Sequence, residues 1–111
     1  MSSQDLLNRI NQLSGVQGAL ITTKEGLITE SSLPESTDPN MISALVSTVF
    51  TQIEVQSKRM LRGDPKKIIV ETDSQVFSVF AFDSGAENVL VFGEFGKEVD
   101  VENLYNTLRV L

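Results

Sequence analysis

The sequence contains no cysteine and no histidine. This absence excludes disulfides, zinc-finger sites, thiol nucleophiles and every catalytic triad that uses imidazole as its base. Cationic residues are also scarce, since 9 lysines and arginines face 15 aspartates and glutamates and give a formal net charge of -6. A chain this acidic is repelled by phosphate backbones, so we expect no nucleic-acid partner.

Long hydrophobic runs are missing as well. No stretch approaches the roughly 18–20 apolar residues that a membrane span needs, and the ends carry neither a signal-peptide pattern nor a lipidation motif. The 111 residues, of which 41% are hydrophobic and 22% charged, have the composition of a folded globular protein. We therefore expect a single domain over residues 1–111, cytoplasmic and without a direct membrane anchor.

Hydrophobic periodicity predicts the order helix, two strands, helix, three strands, helix. Both faces of the later strands are apolar: Phe80 points to one side and Val79 to the other, so helices must cover both faces of the sheet. The links between strands are of hairpin length, which favours antiparallel pairing. The predicted fold class is α+β, with the order αββαβββα and a five-stranded antiparallel sheet between helices.

The longest element is a predicted helix that opens at Asp38–Pro39, an N-cap followed by a proline at the first helical position, and runs to about Leu61 before Gly63. A helical spacing of 100° per residue predicts a core stripe of Ile42, Leu45, Val46, Val49, Ile53 and Met60. A second, weaker stripe on nearly the opposite side consists of Ala44, Thr48, Thr51 and Val55. Small side chains of this kind are typical of a surface that packs against another helix. They are equally typical of a solvent-exposed face that carries little charge.

Motifs for chemistry are few. The segment Gly93–Lys97 lacks the first glycine of a phosphate loop, and Glu98 follows the lysine where serine or threonine would bind magnesium. We therefore expect no enzymatic activity and no cofactor. The cations Lys58, Arg59 and Arg62 lie at the end of the long helix, where they offset the helix dipole or dock an acidic partner.

Several segments together resemble a known family. They are Gly15–Ile21, Glu25–Ile28, Ile68–Glu71 and Asn88–Phe92, placed around the long central helix. The sequence is similar to roadblock/LC7 domains, small proteins that serve dynein, Rag-type complexes and prokaryotic Ras-like GTPase systems. The resemblance extends over most of the chain, and it rests on packing patterns rather than on catalytic signatures.

This resemblance implies that two units pair through the third strand into one continuous sheet, which brings their long helices side by side. It implies a homodimer whose interface residues are Ala44, Thr48, Thr51, Val55, Ile68, Ile69 and Val70. The implied function is a non-enzymatic dimerising scaffold that binds a Ras-like small GTPase, or further roadblock or longin-like subunits. Its predicted partner-binding residues are Lys58, Arg59 and Arg62.

The alternative is a small-ligand-sensing domain of related α+β shape. Such a domain needs a pocket with converging polar groups, and the apolar interior offers few beyond Ser78. A small hydrolase is disfavoured by the missing histidine and cysteine.

Overall fold

Eight elements follow one another in the predicted order αββαβββα. The computed structural model of the chain describes residues 2–84 and 87–109. The elements are α1 (Ser3–Asn11), β1 (Val16–Thr23), β2 (Ile28–Ser31), α2 (Pro39–Arg59), β3 (Lys67–Glu71), β4 (Val76–Ser84), β5 (Glu87–Phe95) and α3 (Val101–Arg109). The turn predicted between the last two strands includes Gly85 and Ala86, which lie outside the described residues. None of the described helices is both long and apolar enough to cross a lipid bilayer.

The five strands form one antiparallel sheet in the order β2-β1-β5-β4-β3. This confirms the predicted fold class. The strand β3, which follows the long helix in the sequence, lies at one edge. Among residues 2–84 and 87–109 it pairs with β4 alone, so no described strand covers its other side. The strand β2 forms the opposite edge and has four residues.

Helices cover the sheet on both faces, and each face has its own core. One face packs against α1 and α3, which bury Leu6, Ile10 and Tyr105 with Phe80 and Val91. The other face packs against α2. Its buried residues are Leu20, Val46, Phe50, Val79, Leu90 and Phe92. The strand alternation read from the sequence is therefore confirmed for β4 and β5.

The helix starts follow the local sequence. Ser2 caps α1 in a reciprocal capping box with Asp5, and the hydrogen bond from the Ser2 side chain holds the pKa of Asp5 below its ordinary value. Asp38 caps α2 by accepting from the Asn40 N–H at 2.9 Å, with Pro39 in the first turn. The predicted buried stripe of α3 includes Leu104 and Leu108, which are buried; its last member, Leu111, lies outside the described residues.

Candidate interaction surface

The long helix α2 turns a different face to the sheet from the one that its hydrophobic pattern predicts. Its buried residues are Ser43, Val46 and Phe50. Of the predicted core stripe only Val46 is fully buried. The side chains of Leu45, Val49, Ile53 and Met60 are 55%, 47%, 37% and 62% exposed, so their assignment to the core was wrong.

Polar contacts to the β1–β2 turn explain this rotation of α2. The Ser43 hydroxyl donates to the Gly26 carbonyl at 3.1 Å, and the Ser47 hydroxyl donates to the Lys24 carbonyl. About two turns beyond Ser47, Glu54 pairs with the Lys24 ammonium at 2.9 Å. Residues 43, 47, 50 and 54 share one helical face, so satisfying the turn carbonyls fixes which side of α2 faces the sheet.

Because α2 is rotated, an apolar groove stays open between it and the edge of the sheet. The groove has a volume of about 490 Å³. Its apolar walls are Ile42, Leu45, Val46, Val49, Ile68, Val70, Phe77, Val79 and Phe92, and its polar residues are Thr72, Ser74, Gln75 and Glu94. Exposed apolar side chains gathered in one place are typical of an interaction site.

The predicted strand residues of the interface lie beside this groove. Ile68 and Val70 are half-buried and line it, whereas Ile69 points to the opposite face of the sheet and is 41% exposed. In the described part of the chain, the outer N–H and C=O groups of β3 have no partner strand. An unpaired edge of this kind is a template for another strand.

The predicted helix residues of the interface lie on a different flank of α2. Ala44, Thr48, Thr51 and Val55 are all exposed, and none of them lines the groove. The Thr48 hydroxyl donates to the Ala44 carbonyl at 2.8 Å. We call these four residues the small-residue flank, and Leu45, Val49 and Ile53 the apolar flank. Leu45 and Val49 of the apolar flank line the groove together with β3, whereas the small-residue flank lies outside it.

The predicted partner-binding cations lie at the carboxyl end of α2. Lys58, Arg59 and Arg62 are exposed, and the Lys58 ammonium approaches the Asp64 carboxylate at 3.4 Å. Two apolar side chains lie between these cations. Met60, which the sequence assigned to the core, is 62% exposed, and Leu61, to which the sequence assigned no role at this surface, is 90% exposed. An apolar centre with a charged rim is the composition of many protein interfaces.

The helix α2 also ends earlier than predicted, and in an unusual conformation. Leu61 has φ of 58°, and the Arg62 N–H donates to the Ser57 carbonyl at 2.9 Å. This is the left-handed helix stop that glycine normally occupies, and the glycine of this segment, Gly63, comes two residues later. A leucine in this conformation is strained, and here it presents its side chain to solvent.

Within residues 2–84 and 87–109, no group of three or more acidic residues is placed to hold a metal ion. The notable features are instead an apolar groove, an unpaired strand edge and a basic helix end. These features lie on one helix and one edge strand, and the combination is typical of protein-interaction domains.

The chain belongs to the Roadblock/LC7 domain family, which it matches over residues 3–96. This family consists of regulatory domains associated with small GTPases. An uncharacterised protein of Methanocaldococcus jannaschii is 27% identical over 106 residues, which cover 96% of this chain and 72% of the relative. Two further proteins of that organism are 27% identical over 66 residues, and the match spans 58% of their length and 60% of this chain.

Solved structures share the fold. A Roadblock/LC7 domain from Streptomyces avermitilis superposes with a TM-score of 0.78 at 20% identity, covering 98% of this chain and 90% of that one. The gliding protein MglB from Thermus thermophilus gives a TM-score of 0.75 at 14% identity, with 94% and 79% coverage. MglB from Myxococcus xanthus gives 0.78 at 12% identity, with 99% and 86% coverage.

Proposed function

We propose that this chain is a non-enzymatic domain that forms a homodimer and, as a dimer, binds a Ras-like small GTPase. The observation that carries the proposal is the open apolar groove between α2 and the unpaired edge of β3. A second copy covers both features at once, because a two-fold axis beside β3 brings a second β3 and a second α2 to the same place.

The apolar flank of α2 is the better candidate for the dimer contact. Leu45 and Val49 line the groove next to Ile68, so they lie on the side from which a second copy must approach. The exposed fractions of 55% and 47% for these two side chains leave a large apolar surface to bury. The self-association of a relative is consistent with this, since MglB has been solved in a tetrameric arrangement.

The small-residue flank and the basic end of α2 then stay available to a different partner. Ala44, Thr48, Thr51 and Val55 carry no charge, and Lys58, Arg59 and Arg62 follow them on the same helix. The exposed Met60 and Leu61 add apolar surface among the cations. Small GTPases are the partners that membership of the family suggests.

The test is direct binding to a purified Ras-like GTPase from the same cells, loaded either with a non-hydrolysable GTP analogue or with GDP. Calorimetry should show binding that prefers one nucleotide state. A variant with both Lys58→Glu and Arg62→Glu should bind more weakly, whereas Glu35→Gln, an exposed change in the loop before α2, is the control. Equal failure of both nucleotide forms to bind the wild-type chain would contradict the GTPase part of the proposal.

One observation favours the ligand-sensing alternative. The groove volume of about 490 Å³ lies within the range of small-molecule sites, and Thr72, Gln75 and Glu94 supply polar groups at its rim. Thermal-shift measurements against nucleotides and metabolites separate the two functions. A metabolite that raises the melting temperature of the wild-type chain, but not that of the Val49→Asp variant, would favour the ligand-sensing function.

A further inference from the structure

We infer that the homodimer has one defined strand register, with the two-fold axis at Ile69, so that Lys67 of each copy faces Glu71 of the other. This inference rests on the proposed function, since it assumes that a second copy pairs with β3. The register specifies which residues of the two copies face each other, and why the β3 edge pairs with the β3 edge of a second copy. The hydrogen-bond pattern between β3 and β4 determines which backbone groups of β3 point outward.

The contacts with β4 show which backbone groups of β3 are already used. The Lys66 carbonyl accepts from the Ala81 N–H at 2.9 Å, and the Thr72 N–H donates to the Gln75 carbonyl at 2.9 Å. Between these two points the register is regular, with Ile69 opposite Ser78. Hydrogen-bonded and non-hydrogen-bonded pairs alternate along an antiparallel ladder. The even-numbered residues of β3 therefore direct their backbone groups toward β4, and Lys67, Ile69 and Glu71 direct theirs outward.

In an antiparallel dimer, a residue whose backbone groups point outward pairs with a residue of the same kind in the second copy. For Lys67, Ile69 and Glu71, a symmetric dimer therefore has its axis at residue 68, 69 or 70. An axis at Ile69 pairs Ile69 with itself and Lys67 with Glu71 twice, and it forms about six backbone hydrogen bonds. An axis at Ile68 forms about four within β3, because Glu71 then faces Pro65, which has no N–H to donate.

An axis at Val70 is also less favourable. It places Lys67 opposite Asp73, which lies in the bend after β3 and not in the strand. The Thr72 hydroxyl holds that bend by accepting from the Ser74 and Gln75 N–H groups at 3.3 and 3.2 Å. The strand ladder therefore ends before Asp73, and only the axis at Ile69 uses all of β3.

Side-chain chemistry agrees with the axis at Ile69. Glu71 is exposed and makes no ion pair within residues 2–84 and 87–109. Lys67 already pairs with Glu102 at 2.7 Å, with its ammonium 4.8 Å from the centre of the Tyr105 ring, which holds the cation at the edge of the sheet. Opposite charges directly across two strands are favourable, and like charges there are unfavourable.

The same register also covers the apolar side chains of β3 on both faces. Ile69, which is 41% exposed, meets its own copy on the face of α1 and α3. Ile68 faces Val70 of the second copy on the opposite face, so the two grooves become continuous. The other edge of the sheet lacks these features, because β2 has four residues and its register with β1 is broken by a bulge.

Cysteine cross-linking tests the register directly. The chain has no cysteine of its own, so each disulfide forms between introduced residues. The variants Lys67→Cys, Ile69→Cys and Glu71→Cys are oxidised singly and in pairwise mixtures, with one copy carrying a size tag. We expect the fastest disulfides from Ile69→Cys with itself and from Lys67→Cys mixed with Glu71→Cys. The control is Ser31→Cys on the β2 edge, which should not cross-link.

The outcomes separate this inference from the proposed function. Fastest cross-linking of position 69 with position 67 or 71, in a chain that light scattering shows to be a dimer, overturns the register and leaves the dimer. A dimer in which no β3 cysteine cross-links overturns strand pairing. A chain that stays monomeric overturns the proposed function, and the register fails with it.

A charge variant gives a second readout that does not depend on oxidation. Glu71→Gln should raise the dimer dissociation constant about fivefold, because two cross-strand pairs are lost together. Glu71→Lys should raise it further. Glu30→Gln on β2 is the matched control and should leave the constant unchanged. An unchanged dissociation constant for Glu71→Lys would show that Lys67 of one copy does not face Glu71 of the other.

Discussion

Two valines on α2 provide a matched test of which flank of the helix forms the dimer contact. Val49 on the apolar flank is 47% exposed and Val55 on the small-residue flank is 45% exposed. The same change to aspartate at either site therefore introduces the same charge in the same helix at the same exposure. We expect Val49→Asp to dissociate the dimer and Val55→Asp to leave it intact.

The magnitude follows from burial. Fully burying a valine is worth about 1.5–3 kcal/mol, so covering the exposed half of Val49 contributes about 1 kcal/mol per copy and about 2 kcal/mol per dimer. An unpaired carboxylate in the covered interface adds a desolvation cost of about 1 kcal/mol or more per copy. The total of about 4 kcal/mol corresponds to a rise in the dissociation constant of roughly 1000-fold.

The assay is sedimentation equilibrium over a dilution series, with thermal unfolding as a check on the fold. Both valines are exposed in the single chain, so each variant should shift the free energy of unfolding of the monomer by less than about 0.5 kcal/mol. A monomeric Val55→Asp beside a dimeric Val49→Asp would refute this reasoning and assign the contact to the small-residue flank. Two dimeric variants would show that α2 is outside the interface.

Three further predictions concern the partner surface and the end of α2. Reversing the charge of Lys58 and Arg62 should slow association with the GTPase more than it speeds dissociation, and stopped-flow rates should show a weaker salt dependence than wild type. Isothermal calorimetry should detect no GTP binding by the isolated chain, because the segment Gly93–Lys97 lacks the phosphate-loop pattern; tight binding would contradict the scaffold proposal. Leu61→Gly should raise the stability of the domain by about 1 kcal/mol in chemical denaturation, since it relieves the left-handed conformation; a loss of stability would show that the Leu61 side chain packs in the folded state.

The sequence was sufficient for the strands and for the start of α2. Alternation along β4 placed Phe80 and Val79 on opposite faces, and both faces are covered as expected. Asp38 and Pro39 mark the first turn of α2 because their capping chemistry is local and independent of the rest of the fold. Signals of this kind depend only on neighbouring residues, and they were read correctly.

The rotation of α2 could not be predicted, because it depends on contacts between distant residues. The apolar stripe containing Leu45 and Val49 has the pattern of a core stripe, and its exposure results from Ser43 binding the turn at Gly26. Nothing in the spacing distinguishes an apolar stripe that faces a sheet from one that faces a second subunit. The end of α2 was misplaced for a related reason, since a leucine occupies the conformation that glycine usually takes.

We propose that a second copy of this chain covers the groove and the edge of β3. The most direct test is the molar mass of the purified chain by light scattering coupled to size-exclusion chromatography, measured from low to high micromolar concentration. We expect a mass of twice the 12.2 kDa of one chain, falling toward the monomer only on dilution. A mass of 12.2 kDa at every concentration would contradict it.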